Sequence, residues 1–575
     1  MTEASHPVTA NLSETAEADI SSALGLLFQV DGDVVNKFRE VVASGAMAKI
    51  AAEVQERVRK GGRIFFTGCG STGRLSILLD SVWRDFWRRQ GDFVAGARDF
   101  ENRTFSVMAG GDYALIKSVE GFEDFTEFGE KQMAELGVGS GDLVFAITEG
   151  GETSFVIGTA WRGVAAGAKV YFIYNNPDDI LCEHVQRSRE VIQDGRIQKL
   201  NLTTGPMAIT GSTRMQATSI QLCVLLTILE MVARDLTGIE SASVPEAFLS
   251  GLVKLHEQLR SPGFRASLAR LVALEEQVYR GGHKNNYYAD RFGIDVLTDT
   301  TERSPTYCTP PFRKWDDAAA AESWAFLFLP EEDTDSAWQS ILQRKPRCLA
   351  WGEAEIRGLV EEDKFARTRE IVAKIGLAEL MRYKIDAGGL RHRQPAPQDG
   401  GIGIVGATER GARAEFVQAQ LALARRNQAQ TGLIVFGGTA EGTAGWESRA
   451  DNYLRVAMPA GEWLLDGLMR VAVKLVMNAL STCTMVRLDR VMGNYMIWVV
   501  PSNLKLIDRA TRYITKLAGL NYEAANELLF EIIEYVEPRM KSDQAYPPVV
   551  GMAVLRAREN LTNEQAEKKL MAGAG

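Results

Sequence analysis

The stretch Arg63-Ile64-Phe65-Phe66-Thr67-Gly68-Cys69-Gly70-Ser71-Thr72-Gly73-Arg74 passes from a short β-type run into a glycine loop. Residues 75–87 behind it have the spacing of a helix. A strand, a glycine turn and a helix in direct succession aim the free amides of the helix start at one point. The helix dipole favours an anion there. Gly68-Cys69-Gly70-Ser71-Thr72-Gly73 also fits G-x-G-x-x-G, the form of a dinucleotide loop. Ser71 and Thr72 put two hydroxyl donors beside those amides, a density suited to a single phosphoryl group. A dinucleotide loop wants an acidic residue at the end of the next strand, and Asp99 or Glu101 can fill that place. The pattern by itself leaves both ligands open.

Outward from this loop the same order recurs. Residues 142–147 read as a buried strand, 148–153 as a polar glycine loop, 154–167 as a helix, and 169–174 as a strand ended by Asn175-Asn176-Pro177. Such alternation predicts a parallel sheet covered on both faces. Ligands of such sheets bind at the carboxyl ends of strands, where both glycine loops fall. Residues 20–56 upstream carry helical spacing, and 217–235 downstream form a strongly apolar helix. A second α/β region is predicted from about 265 to 500, with strands at 325–329, 401–405 and 432–436. From Ser502 the chain turns helical, and Thr562-Asn563-Glu564-Gln565 is a capping box opening a last helix. Residues 217–231 and 472–485 share apolar spacing, as two tandem copies of one fold would.

A chain of 575 residues suits two or three domains. The net charge of -9 and pI near 5.5 exclude a general attraction for nucleic acid, although one local site can still hold an anion. The six cysteines are scattered without a C-x-x-C pair, which predicts reduced thiols and a cytoplasmic location. The five histidines make no metal-ligand spacing, so neither a metal nor another cofactor is predicted. Residues 1–20 read as a disordered tail and not a signal peptide. No apolar run approaches the ~20 residues of a membrane helix, so no membrane partner is predicted.

Further segments make a resemblance specific. They are Ala109-Gly110-Gly111-Asp112, Val119-Glu120-Gly121-Phe122-Glu123-Asp124, Thr148-Glu149-Gly150-Gly151-Glu152-Thr153 and Gly211-Ser212-Thr213-Arg214-Met215. Lys474-Leu475-Val476-Met477-Asn478-Ala479, Gly493-Asn494-Tyr495-Met496 and Ser502-Asn503-Leu504-Lys505-Leu506 follow in the same order. Together they resemble the sugar isomerase (SIS) fold of N-acetylmuramic acid 6-phosphate etherases and glucokinase regulatory proteins. The second of these has two such domains in tandem and a helical lid, and this chain has that layout. The resemblance implies a first SIS domain at 21–245, a diverged second at 246–500 and a helical cap at 501–575. It covers 61–231 and 471–512 well and 281–397 poorly.

The resemblance also implies site residues. Gly70, Ser71, Thr72, Gly73 and Arg74 would hold the phosphate of a sugar, Ser71 and Thr72 through hydroxyls that can equally cap the helix. Thr148, Gly150, Gly151 and Thr153 form the second loop, with Gly150 at a family serine position. Ser212 and Thr213 form a third segment, where Arg214 is either a ligand or a structural ion pair. Lys474 would reach the phosphate from the second domain; the plainer reading is a solvated helix lysine. The second domain itself is expected to lack a complete phosphate site, since Gly281-Gly282-His283-Lys284-Asn285-Asn286 has no Ser/Thr-Gly cluster.

Etherase chemistry needs one group to take the proton at C2 of the sugar and another to protonate the leaving oxygen. Glu123 stands at the family's proton-abstracting position, with Glu120 a turn before it. Val82 stands where the leaving-group acid belongs, and Asp80 would point elsewhere on the same helix. The resemblance therefore implies a phosphosugar-binding sensor or regulator, with a sugar kinase as possible partner. The alternative is an etherase or isomerase acting through Glu123.

Overall fold

In the computed structural model the described residues are 1–91, 93–119, 121–439, 443, 445–501, 504–541 and 547–573. The first sheet is built from β1 (Ile64–Gly68), β2 (Thr104–Met108), β3 (Leu143–Ile147), β4 (Lys169–Tyr174) and β5 (Ile197–Asn201), in the order β2-β1-β3-β4-β5. The second uses β6 (Asn285–Ala289), β7 (Ala325–Phe328), β8 (Gly400–Gly406), β9 (Gln430–Phe436) and β10 (Asn452–Val456), in the order β7-β6-β8-β9-β10. Every pairing in both sheets is parallel. The two sheets thus share one topology, and each has a switch point, β1 against β3 and β6 against β8. The predicted tandem α/β architecture is what the chain adopts.

β1 and β3 are buried at every position, which is why they read as unbroken apolar runs. β6 does not read that way. Its sequence, Asn285-Asn286-Tyr287-Tyr288-Ala289, is also buried throughout. Both amide nitrogens find acceptors inside the protein: Asn285 Nδ2 donates to Glu275 Oε1 at 2.8 Å and Asn286 Nδ2 to the Arg393 carbonyl at 3.0 Å. The segment 281–286, read as the second domain's phosphate loop, therefore leads into and begins a strand. The loop equivalent to Gly68–Gly70 is Asp290-Arg291-Phe292, which follows β6 and precedes the helix Gly293–Tyr307.

Two long helices, Gln216–Thr237 and Gly467–Arg487, pack on one another between the halves. By length and hydropathy alone either would cross a membrane, but their apolar windows are 100% and 89% buried, so they form the core. A buried Leu, Ile or Val side chain in them is worth about 1.5–3 kcal/mol. Among the described residues the cap has four helices, Leu504–Ala518, Tyr522–Lys541, Val549–Glu559 and Asn563–Gly573. The capping box is made: Gln565 N–H donates to Thr562 Oγ1, and Thr562 N–H donates to Gln565 Oε1.

The disordered tail expected at 1–20 is replaced by folded chain. Thr2, His6 and Thr9 are buried, and Leu12–Ala18 is a helix with Leu12 and Ala16 inside. The stretch is polar because hydrogen bonds tie it down. Thr9 Oγ1 donates to the Ala208 carbonyl at 2.7 Å, and His6 Nε2 lies 3.0 Å from Asp33 Oδ2.

Candidate functional site

A cavity of about 500 Å³ opens at the carboxyl ends of β1 and β3. Ser71, Gly150, Thr153, Ser212, Thr213 and Arg214 form one side of it. The other side comes from distant chain: Glu302 near the end of helix Gly293–Tyr307, Arg509 on the first cap helix, and Glu3.

The first loop is tight. A Cβ on Gly68 would lie 2.4 Å from the Thr72 backbone, and Gly70 has φ +55°. Ser71 opens the helix Ser71–Gln90 and faces the cavity with Gly70. Thr72 does not. It is 1% exposed, and its hydroxyl accepts from Cys69 N–H at 3.1 Å and donates to the Cys69 carbonyl at 2.9 Å. Gly73 lies against Met108 instead, where a Cβ would meet the side chain at 2.6 Å. Both residues shape the loop rather than line it. The second loop divides the same way. Thr153 and Gly150 line the cavity, whereas Thr148 is buried and accepts from Gly151 N–H at 3.2 Å. Gly151 has φ +82°.

Arg74 is fully buried in the wall. It donates to the Ala114 carbonyl at 3.0 Å and Ser118 Oγ at 3.1 Å, and it forms an ion pair with Glu302. Arg214 ties the halves together through Asn478 Oδ1 at 2.9 Å and Asp299 Oδ1 at 3.0 Å, yet its Nη1 is buried with no partner among the described residues. The Ser212 hydroxyl is likewise buried without a partner among them. Two unsatisfied donors on one polar cavity wall cost free energy unless a ligand or water meets them.

Lys474 crosses from the second core helix. Its Nζ donates to the Arg214 carbonyl and to Ser219 Oγ, both at 2.8 Å. It borders a smaller cavity that shares Ser71, Arg214 and Glu302 with the main one. Burial lowers its ammonium to about 8, against the pull of Asp31. Glu123 lines the main cavity, with its Oε2 4.0 Å from Cys69 Sγ. Glu120 lies outside the described residues. Val82 is 3% exposed in the core. Asp80 sits away from the cavity among Arg84, Arg344 and Arg347, and these guanidiniums hold it ionised against the cost of its burial.

Sequence reasoning missed the far wall. Glu302, Ser304, Thr306 and Thr309 lie in a hydroxyl-rich stretch, Thr300-Thr301-Glu302-Arg303-Ser304-Pro305-Thr306-Tyr307-Cys308-Thr309, whose density of polar groups is the one signal it gives. Glu3 and Arg509 give none; they form an ion pair, with Arg509 Nε 2.9 Å from Glu3 Oε2.

Two parallel sheets whose switch-point loops open on polar space define a doubly wound α/β protein. Residues 46–161 match the family model described as the glucokinase regulatory protein N-terminal SIS domain. The N-acetylmuramic acid 6-phosphate etherase of Rhodopirellula baltica is 29% identical over 216 residues, 38% of this chain and 63% of that one. The etherase of Clostridioides difficile is 28% identical over 226 residues, 38% of this chain and 66% of that one. The chain thus spans a little under two thirds of these curated relatives. Among solved structures, tagatose-6-phosphate ketose/aldose isomerase from Escherichia coli aligns at a TM-score of 0.43 with 10% identity, over 85% of this chain and 99% of that one. The resemblance to SIS-domain proteins that the motifs carried is borne out.

Proposed function

We propose that the main cavity binds a hexose or aminosugar phosphate and that the chain is a sensor or regulator of sugar phosphate metabolism. The observation that carries this is the pair of buried, unpartnered donors, Ser212 Oγ and Arg214 Nη1, beside a helix start and two glycine loops. The etherase relatives, whose names state a sugar 6-phosphate substrate, support the ligand class. The walls come from both halves and the cap, so a bound ligand favours one arrangement of the three. That preference is what a sensor needs. A sugar kinase is a partner that such a reporter would serve, in a cytoplasmic setting.

A second reading, an etherase or isomerase, is favoured by Glu123 on the cavity wall. Against it stand the buried Val82 and the arginine-locked Asp80, which leave helix Ser71–Gln90 without a leaving-group acid. General acid assistance is worth about 10²–10⁴-fold in rate. Incubation with N-acetylmuramic acid 6-phosphate and with hexose 6-phosphates in deuterated water separates the two. Tight binding without lactate release or C2 exchange, weakened in Lys474→Ala, is the expected result. Lactate release at enzyme rates, or deuterium uptake lost in Glu123→Gln, supports the enzyme. Stabilisation by NAD and by no phosphosugar overturns both.

A further inference from the structure

The topology places a second cavity where the first sheet's site would predict one. It measures about 270 Å³ and lies at the switch point of the second sheet, between the loop after β6 (Asp290, Arg291) and the loop after β8 (Glu409, Arg410). The two cavities are built reciprocally. Helix Gly293–Tyr307, which follows β6, sends Glu302 into the first cavity; helix Ser71–Gln90, which follows β1, sends Asp85 and Arg89 into the second.

The chemistry of the second wall is different. Hydroxyl donors are few, and guanidiniums replace them: Arg89, Arg291, Arg410, Arg413 and Arg470 all border the space. Several already have carboxylates. Arg413 Nε lies 3.2 Å from Asp290 Oδ2 and the same residue pairs with Glu331, Arg89 lies 3.0 Å from Asp85, and Arg291 pairs with Asp466. Two donors are not matched in this way. Arg410 donates only to the Ala407 and Glu409 carbonyls, at 2.7 and 2.8 Å, and has no carboxylate partner among the described residues. Arg470, 5% exposed, pairs with Asp295 through Nη1, while its Nε is buried without a partner. Helix Gly293–Tyr307 begins at the same place, so its dipole adds a favourable field for an anion.

We propose that this second cavity binds a small phosphorylated anion, held by arginine side chains rather than by loop hydroxyls. Guanidinium groups bind phosphoryl oxygens in bidentate fashion and need no glycine loop. The absent Ser/Thr-Gly cluster therefore removes sugar-phosphate recognition of the first kind and leaves anion recognition of another.

The test is calorimetric titration of the full chain with inorganic phosphate and, separately, with glycerol 3-phosphate, in wild type, Arg410→Gln and Ser212→Ala. Arg410 is exposed and bonded only to nearby backbone, so its variant is expected to keep the wild-type melting temperature. The expected result is a binding event weakened tenfold or more by Arg410→Gln and untouched by Ser212→Ala. Tighter binding of glycerol 3-phosphate names a phosphomonoester as the natural ligand; equal binding names free phosphate. A single event lost in Ser212→Ala and unchanged in Arg410→Gln overturns the second site and leaves the first. No event in any form of the chain overturns the second site as well.

Discussion

Arg74 and Glu302 stand 228 positions apart, on the helices that follow β1 and β6, and form a buried ion pair in the wall of the main cavity. Arg74 is fully buried and Glu302 is 7% exposed. A buried pair is worth little against apolar replacement, but losing one partner strands the other charge. Glu302→Ala is expected to cost about 3–5 kcal/mol, read from urea unfolding, whereas the double change Arg74→Leu with Glu302→Leu costs far less. Equal losses in the two variants would show the charge to be compensated elsewhere.

Ser212 and Thr72 separate binding from folding. The Ser212 hydroxyl has no partner to lose, so Ser212→Ala is expected to leave stability within about 0.5 kcal/mol. The same change should weaken phosphosugar binding by about 1.5–3 kcal/mol, the range for a hydrogen bond to a charged group. Thr72→Ala removes two bonds to Cys69 and is expected to lower stability by about 1–3 kcal/mol. Titration calorimetry and thermal melts on the two proteins decide it; a stable Thr72→Ala protein with wild-type affinity would refute the loop-staple role.

Gly68 has no room for a side chain. A Cβ there would meet the Thr72 backbone at 2.4 to 2.5 Å, which no rotamer relieves. Gly68→Ala is therefore expected to displace the first loop, destabilise by about 1–3 kcal/mol and abolish ligand-induced thermal shifts. Gly70→Ala meets no atom within 4 Å but keeps a φ of +55° with ψ -124°, so its penalty is conformational strain of about 1–3 kcal/mol.

Glu409 makes stability depend on pH. Burial raises its carboxyl from 4.5 to about 7; the Gly406 N–H opposes this and the nearby Asp290 adds to it. The folded chain keeps a proton there that the unfolded chain releases above pH 4.5. The contribution is thus fully present below that pH and is lost as pH rises through about 7. Over that window wild type is expected to lose about 1–3 kcal/mol from this group. Glu409→Gln removes the loss. Urea midpoints at a series of pH values that run parallel in the two proteins would contradict it.

What the sequence made legible follows physical rules that act locally. The run from Ile64 to Gly68 is apolar because it is buried on both faces, and the glycines behind it are forced by backbone contact, so strand, loop and helix were all readable. β6 was not, because its asparagine nitrogens donate to Glu275, on the preceding helix, and to the Arg393 carbonyl 107 residues away, partners that a strand pattern around residue 285 does not show. Of the two hydroxyls in the first loop, Ser71 faces the cavity and Thr72 does not. In a turn as tight as Gly68 to Gly73 the nearest acceptor for Thr72 is the loop's own backbone. The far wall is illegible for the plainest reason, that Glu302 meets Arg74 only once both sheets have formed.

Each loop helix ends over the other half's switch point, so neither half owns a finished cavity. A polypeptide with one such sheet would have to meet a twin to complete its site, and a two-fold pair of twins would complete two identical ones. Joining the halves in one chain abolishes that equality. A substitution at Ser71 no longer reappears at the opposite mouth, so one mouth can keep hydroxyls while the other accumulates arginines. Inheritance through a single covalent chain is thus what permits the two mouths of one molecule to differ in chemistry.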